Sequence, residues 1–278
     1  MVGADHGDTG EFTLGAGGIT FFLFLVTLLS GVLLMLVYRP TPEHAYADMK
    51  SLDFDVPFGM FLRNLHRWAG HAMVIVVWVH MLRVFLTGSY KPPRQFNWVV
   101  GVFLLTTTML LAFTGYLLPW DQLAYWAITV GTNMANAVPG IGDDISFLLL
   151  GGDAIGENTL IRFYVLHVII LPLGLAALLA VHFWRIRKDG GLARPVDADS
   201  RIPDDDPKIY PVFTEQPLKT YSLAAVVKGR TAQVNRGPEK TLPSMPHLMY
   251  AEAAAFMLTF AVCLLLSIFI DAPLKELA

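Results

Sequence analysis

Four long stretches of this chain contain no charged residue: Leu14 to Tyr38, Gln95 to Trp120, Phe163 to Trp184 and Ala253 to Ile270. Each is long enough to cross a hydrocarbon layer of about 30 Å as a helix. A fifth, Phe58 to Leu86, confines Arg63, Arg67 and Arg83 to its two ends. Backbone amides in lipid must be satisfied within the segment, so runs of this kind are restricted to helices. With 54% hydrophobic and 15% charged residues, the chain predicts an all-α polytopic membrane protein. It should have a four-helix transmembrane bundle plus a fifth transmembrane helix.

Composition shifts divide the chain into a polar N-terminal tail (1–13), a four-helix domain (14–190), a polar Pro/Gly-rich linker (191–246) and a fifth helix with a short tail (247–278). Within the four-helix domain, helices are predicted at about 14–38, 58–88, 95–118 and 160–187, with 39–57 a polar connection. The segment 119–159 is long for a loop, and its apolar stretch Ile145 to Leu150 predicts a short interfacial helix. A further short helix is expected near Tyr221–Val227. Between Trp120 and Ile161 stand five acids and no Lys or Arg, whereas Lys91, Arg94, Arg185, Arg187 and Lys188 flank the other connections. That bias puts the N-terminus on the cytoplasmic side and the acidic loop and C-terminus outside. No cleavable signal is expected, and a bacterial cytoplasmic membrane is the expected location.

Histidines give the functional signal. His66 and His80 are 14 residues apart on one apolar segment, and His167 and His182 are 15 apart on another. On an α-helix these intervals rise about 21–22 Å and return to within about 40° and 60° of the starting azimuth. Each segment therefore offers two imidazoles on roughly one face. If the two helices run side by side, the four rings form two pairs, each able to hold a metal from both sides. Two haems held in this way would form an electron wire, with no open position for oxygen.

Glycines repeat the same interval: Gly17 and Gly31 are 14 apart, as are Gly101 and Gly115. Positions without a side chain suit a planar macrocycle, although each glycine alone also suits close helix packing. Arg63 precedes His66 by three residues and Arg83 follows His80 by three. Together with Arg67 they are candidates to meet haem propionates, or to snorkel to headgroups. His71, about 140° around the helix from His66, is not expected to be a ligand. The single cysteine, Cys263, excludes a disulfide, a thiolate cage or a CxxCH attachment motif within the chain.

Several wordings resemble cytochrome b of the bc-type quinol:cytochrome c oxidoreductases. They are GGIT and YRP near the first helix, RNLHRW and VHMLRVFLTGSYKPPR on the second, TGYLLPWDQLAYWA after the third, and RFYVLHVIILP and VHFWRIRKDG on the fourth. The resemblance covers about residues 12–190 and is closest to the split, chloroplast-like form (cytochrome b-six). Residues around PHLMYAEA and IDAPLKE resemble more weakly the first helix of the companion subunit.

This resemblance implies a membrane electron-transfer subunit with two non-covalent b-type haems (protohaem IX) and a quinol/quinone substrate. His66 and His167 would hold the low-potential haem on the outer side, and His80 and His182 the high-potential haem on the inner side. Tyr116, Pro119, Trp120 and Ala127 would belong to the outer quinol-oxidation pocket, and Arg187 would border an inner quinone site. The implied partners are a Rieske iron–sulfur protein, a c-type cytochrome, a companion subunit carrying the C-terminal half, and membrane lipid, in a homodimeric complex without nucleic acid. Two departures stand out. Gly15 aligns with the cysteine that attaches an extra haem in the chloroplast-like form, so no covalent c-type haem is expected. Ala127 replaces a glycine of the fused form, so reduced sensitivity to inhibitors needing that glycine is expected.

Two rival readings stay open on the residues. One is a di-haem membrane anchor of a hydrogenase or formate dehydrogenase, which lacks the PWDQ-YWA loop. The other is a non-redox transporter or scaffold.

Overall fold

The computed structural model describes residues 15–86, 88–91, 94–188 and 249–277. The predicted tail 1–13, the linker 191–246 and the short helix near Tyr221–Val227 lie outside these residues. Regular structure among the described residues is helical: α1 (Ala16–Leu34), α2 (Pro42–Phe54), α3 (Gly59–Leu86), α4 (Gln95–Leu117), α5 (Gln122–Asn136), α6 (Gly142–Leu150), α7 (Glu157–Val165), a π turn (Leu166–Ile170), α8 (Leu171–Lys188) and α9 (Met249–Phe269). Five helices have membrane-crossing length and apolarity: α1, α3, α4, the continuous run Glu157–Lys188, and α9. Large apolar side chains such as Leu29, Ile75 and Leu173 are exposed, as hydrocarbon surroundings require. The all-α, five-span architecture predicted from the apolar runs is the one observed.

Three segments differ from the sequence reading. The first helix ends at Leu34, not Tyr38, because the chain tightens into i→i+3 bonds from Leu36 to Leu33 and Val37 to Leu34. This turns Tyr38 inward, where its hydroxyl donates to the Leu118 carbonyl at 2.7 Å. The connection 39–57 contains α2. Thr41 is its extended N-cap residue, and Pro42 opens the first turn, where the missing N–H is not needed. The 119–159 segment holds two helices. The expected Ile145–Leu150 stretch lies in α6, and α5 precedes it, started by Asp121, whose carboxylate accepts the Ala124 N–H at 2.9 Å.

The described chain forms two compact units. The first gathers residues 15–20, 75–86, 88–91, 94–106, 176–188 and 249–258; buried Val77, Met81, Val100, Leu104 and Ala255 belong to it. The second comprises 21–74, 107–175 and 259–277. Its core joins Tyr38, Ala45, Met49 and Leu52 to Leu117, Trp120, Ile128, Leu160 and Phe163. In this second unit α3 grips the end of α9. Asn64 donates to the Ser267 carbonyl and accepts the Ala272 N–H, at 3.1 and 2.8 Å, and Trp68 donates to the Ile270 carbonyl at 2.8 Å.

Candidate functional site: two paired histidines

In the second unit, α3 supplies His66 and the π turn supplies His167. Their ring centres are 6.2 Å apart, with planes at 80°. In the first unit, His80 of α3 meets His182 of α8 at 6.5 Å and 82°. The pairing expected from spacing is therefore present in both units. Two imidazole nitrogens bound to one metal, each at about 2 Å, put ring centres about 6 Å apart. Each pair fits a bis-imidazole iron.

Hydrogen bonds fix the tautomer of the first pair. Leu111 offers only a carbonyl oxygen, so the 3.1 Å contact to His167 requires a proton on Nδ1. Ser30 donates its hydroxyl to the Val26 carbonyl at 2.7 Å. Its oxygen is thus left to accept from His66 Nδ1 at 3.0 Å. In both rings Nε2 is bare, the state that a metal needs.

The glycines take unequal parts. A Cβ on Gly115 would lie 2.5 Å from His167 Cε1, one on Gly31 3.1 Å from His66 Cε1, and one on Gly17 3.1 Å from His80 Cε1. The His167 ring thus rests where only a hydrogen fits, and the His66 and His80 rings where a methyl would be tight. A Cβ on Gly101 would meet Met81 Sδ at an ordinary 3.6 Å, so Gly101 does not cushion a histidine in this way.

The arginines also divide. Arg63 is nearly buried and donates to both Asp53 oxygens, at 2.8 and 3.0 Å, and to the Ala272 carbonyl at 2.9 Å. Its fork is thus already engaged in tying α3 to α2 and the C-terminal segment. Arg67 stacks on Tyr116 with its guanidinium carbon 4.7 Å from the ring centre, and its Nε has no hydrogen-bond partner. Arg83 is half-buried on α3. Arg187 is exposed, whereas Arg185, two residues earlier, is fully buried. Its guanidinium carbon lies 5.3 Å from the Phe96 ring centre. The sequence offered the basic cluster but no means of choosing its inward member.

Pro119 is half-buried, and Trp120 is 7% exposed in a left-handed conformation, φ 55°. Ala127 packs partly buried against the same core. His71 is exposed, bonded to the Arg67 carbonyl at 2.8 Å, apart from either pair as expected.

Membrane-length helices that bring histidines together in two half-buried pairs define an integral membrane protein of the paired-imidazole class. Residues 9–190 match the family model described as cytochrome b/b6/petB. Over 174 residues, 63% of this chain, it is 47% identical to the cytochrome b6 of Heliobacterium mobile, covering 82% of that protein. Identity to the cytochrome b6 of Chlamydomonas reinhardtii is 45%, covering 63% of this chain and 81% of that protein. A solved hyperthermophilic respiratory Complex III chain superposes with a TM-score of 0.73 at 25% identity, covering 100% of this chain and 67% of the other. The chain belongs to the cytochrome b family. It is an electron-transfer subunit of a membrane oxidoreductase, and its family implies b-type haems.

Proposed function

We propose that this chain is the cytochrome b subunit of a quinol:cytochrome c, or plastocyanin-like carrier, oxidoreductase. In this reading two b haems pass electrons across the membrane, from an outer quinol-oxidation site to an inner quinone-reduction site. The observation that carries it is the pair of imidazole couples at 6.2 and 6.5 Å. His66 and His167 would hold the outer haem, and His80 and His182 the inner one. A bound haem supplies a one-electron ferric/ferrous couple.

The remaining residues position and shield. Gly17, Gly31 and Gly115 let the imidazoles lie against backbone. Arg67 and Arg83 are the arginines that we assign to the propionates, while Arg63 braces the outer end of α3. Tyr116, Pro119, Trp120 and Ala127 would line the outer quinol pocket, and Arg185 with Arg187 the inner quinone site. The partners in this reading are a Rieske iron–sulfur protein, a c-type cytochrome and a companion subunit bearing the C-terminal half, in a homodimeric complex. The N-terminus would be cytoplasmic and the C-terminus outside. Gly15 bears no thiol and has φ 71°, a conformation in which cysteine is strained. This supports the reading without a covalent c-type haem.

Pyridine haemochrome assay of the purified complex tests the proposal. Two extractable protohaems per polypeptide are expected, with one lost on His167→Ala. Fewer than two in the native complex, or an unchanged spectrum in the variant, would overturn it.

A further inference from the structure

Resting on the haem-binding reading above, we infer that Ser30 and Thr114 are positioning residues for His66 and His167, and that they hold this haem site at the lower reduction potential. Both hydroxyl side chains are buried, each residue 3% exposed. The Ser30 oxygen accepts from His66 Nδ1 at 3.0 Å. Thr114 donates its own proton to the Leu110 carbonyl at 2.8 Å. Its oxygen therefore accepts from His167 Nδ1 at 3.2 Å, alongside the Leu111 carbonyl at 3.1 Å.

The other pair lacks such contacts. His80 Nδ1 and His182 Nδ1 are both shielded from solvent and have no hydrogen-bond partner. The two sites therefore share ligand type and ring separation but differ in what their Nδ1 protons meet.

That difference has an electronic consequence. An Nδ1–H shared with an oxygen gives the ring partial imidazolate character and makes Nε2 the stronger donor. A stronger donor favours ferric over ferrous iron, and so lowers the potential. The couple transfers one electron, and the Nδ1 proton stays on the ring in both states. Electrons entering at the His66/His167 site then run downhill to the His80/His182 site.

The test uses the intact purified complex with Ser30→Ala, Thr114→Val and the double variant. Readouts are optical redox titration of both haems and low-temperature EPR of the ferric forms. In the double variant the lower-potential transition should rise by about a tenfold change in the ferrous-to-ferric ratio, about 59 mV for a one-electron couple. The higher-potential transition should stay in place. The EPR line of the shifted haem should move as its ring is released, and Thr114→Ser should restore both properties. Selective loss of that one haem also supports the assignment. Unmoved transitions, equal movement of both, or loss of both haems would overturn it. If the unaltered complex shows no pair of b-haem transitions, the underlying haem reading fails instead.

Discussion

Asp121 Oδ2 accepts the backbone N–H of Lys275 at 3.0 Å, across 154 residues of chain. Its Oδ1 meanwhile caps α5 through the Ala124 N–H. One carboxylate thus starts a helix and holds the C-terminal segment beside it, helped by Gln122, whose backbone N–H donates to the Glu276 carbonyl at 2.9 Å. Asp121→Ala should destabilise the purified protein by about 1–2 kcal/mol through the lost cap, and free residues 273–277 for carboxypeptidase digestion. Asp121→Asn, which keeps an oxygen acceptor, should cost less. Equal melting and digestion of Asp121→Ala and the parent would remove this role.

The glycine cushions rank themselves by distance. Gly115→Ala would force a methyl to within 2.5 Å of His167 Cε1, whereas Gly101→Ala meets only Met81 Sδ at 3.6 Å. Gly115→Ala should lose or spectrally shift one b haem, and Gly101→Ala should bind the full complement. Gly17→Ala and Gly31→Ala should fall between them. Comparable haem content in Gly115→Ala and Gly101→Ala would refute the ranking.

Outside the membrane spans, Arg39 grips Asp48 through its backbone N–H at 2.8 Å and its guanidinium at 2.6 and 3.1 Å. Burial alone would raise the Asp48 carboxyl, but the Arg39 hydrogen bonds and charge outweigh it and hold the group below its ordinary value. A depressed folded value means that the stabilisation is complete above the unfolded carboxylate range near about 4. It is lost as pH falls from there through the folded value. Asp48→Asn should therefore lower the melting temperature at neutral pH and flatten its decline in acid. A variant with the parent's acid profile would dismiss the pair as a source of acid sensitivity.

The π turn makes a fourth expectation. Leu171 N–H reaches back five residues to the Leu166 carbonyl, and Pro172, which has no N–H to give, follows directly. Such a turn holds one residue more than an α-turn. Deleting Ile169 should close it to regular α-helix with both haems retained. Deleting Leu178 from the regular part of α8 should cost haem. Haemochrome assay of the two deletions decides, and the reverse outcome contradicts the expectation.

What the sequence disclosed follows from physical range. The five spans were visible because an uncharged run of membrane length has few alternatives. The histidine pairs were visible because helix period converts spacing into azimuth. Helix α2 was hidden because its polar face resembles a connection, although Thr41, Pro42 and Glu43 form a helix start. Helix α5 is hidden because Asp121 reads as one of the loop's acids, when it is a cap. The Ser30–His66 bond joins residues 36 apart, and no local pattern announces it. Nor does sequence show that Asp53 occupies Arg63, since their contact depends on how α2 returns against α3.

The widened turn beneath His167 separates counting from rotating. A residue stored there lengthens the written interval without adding an ordinary step of twist, so the 15-residue interval from His167 to His182 overstates the helical phase between them. An insertion or deletion at this point is a change of spelling that the helix can absorb locally.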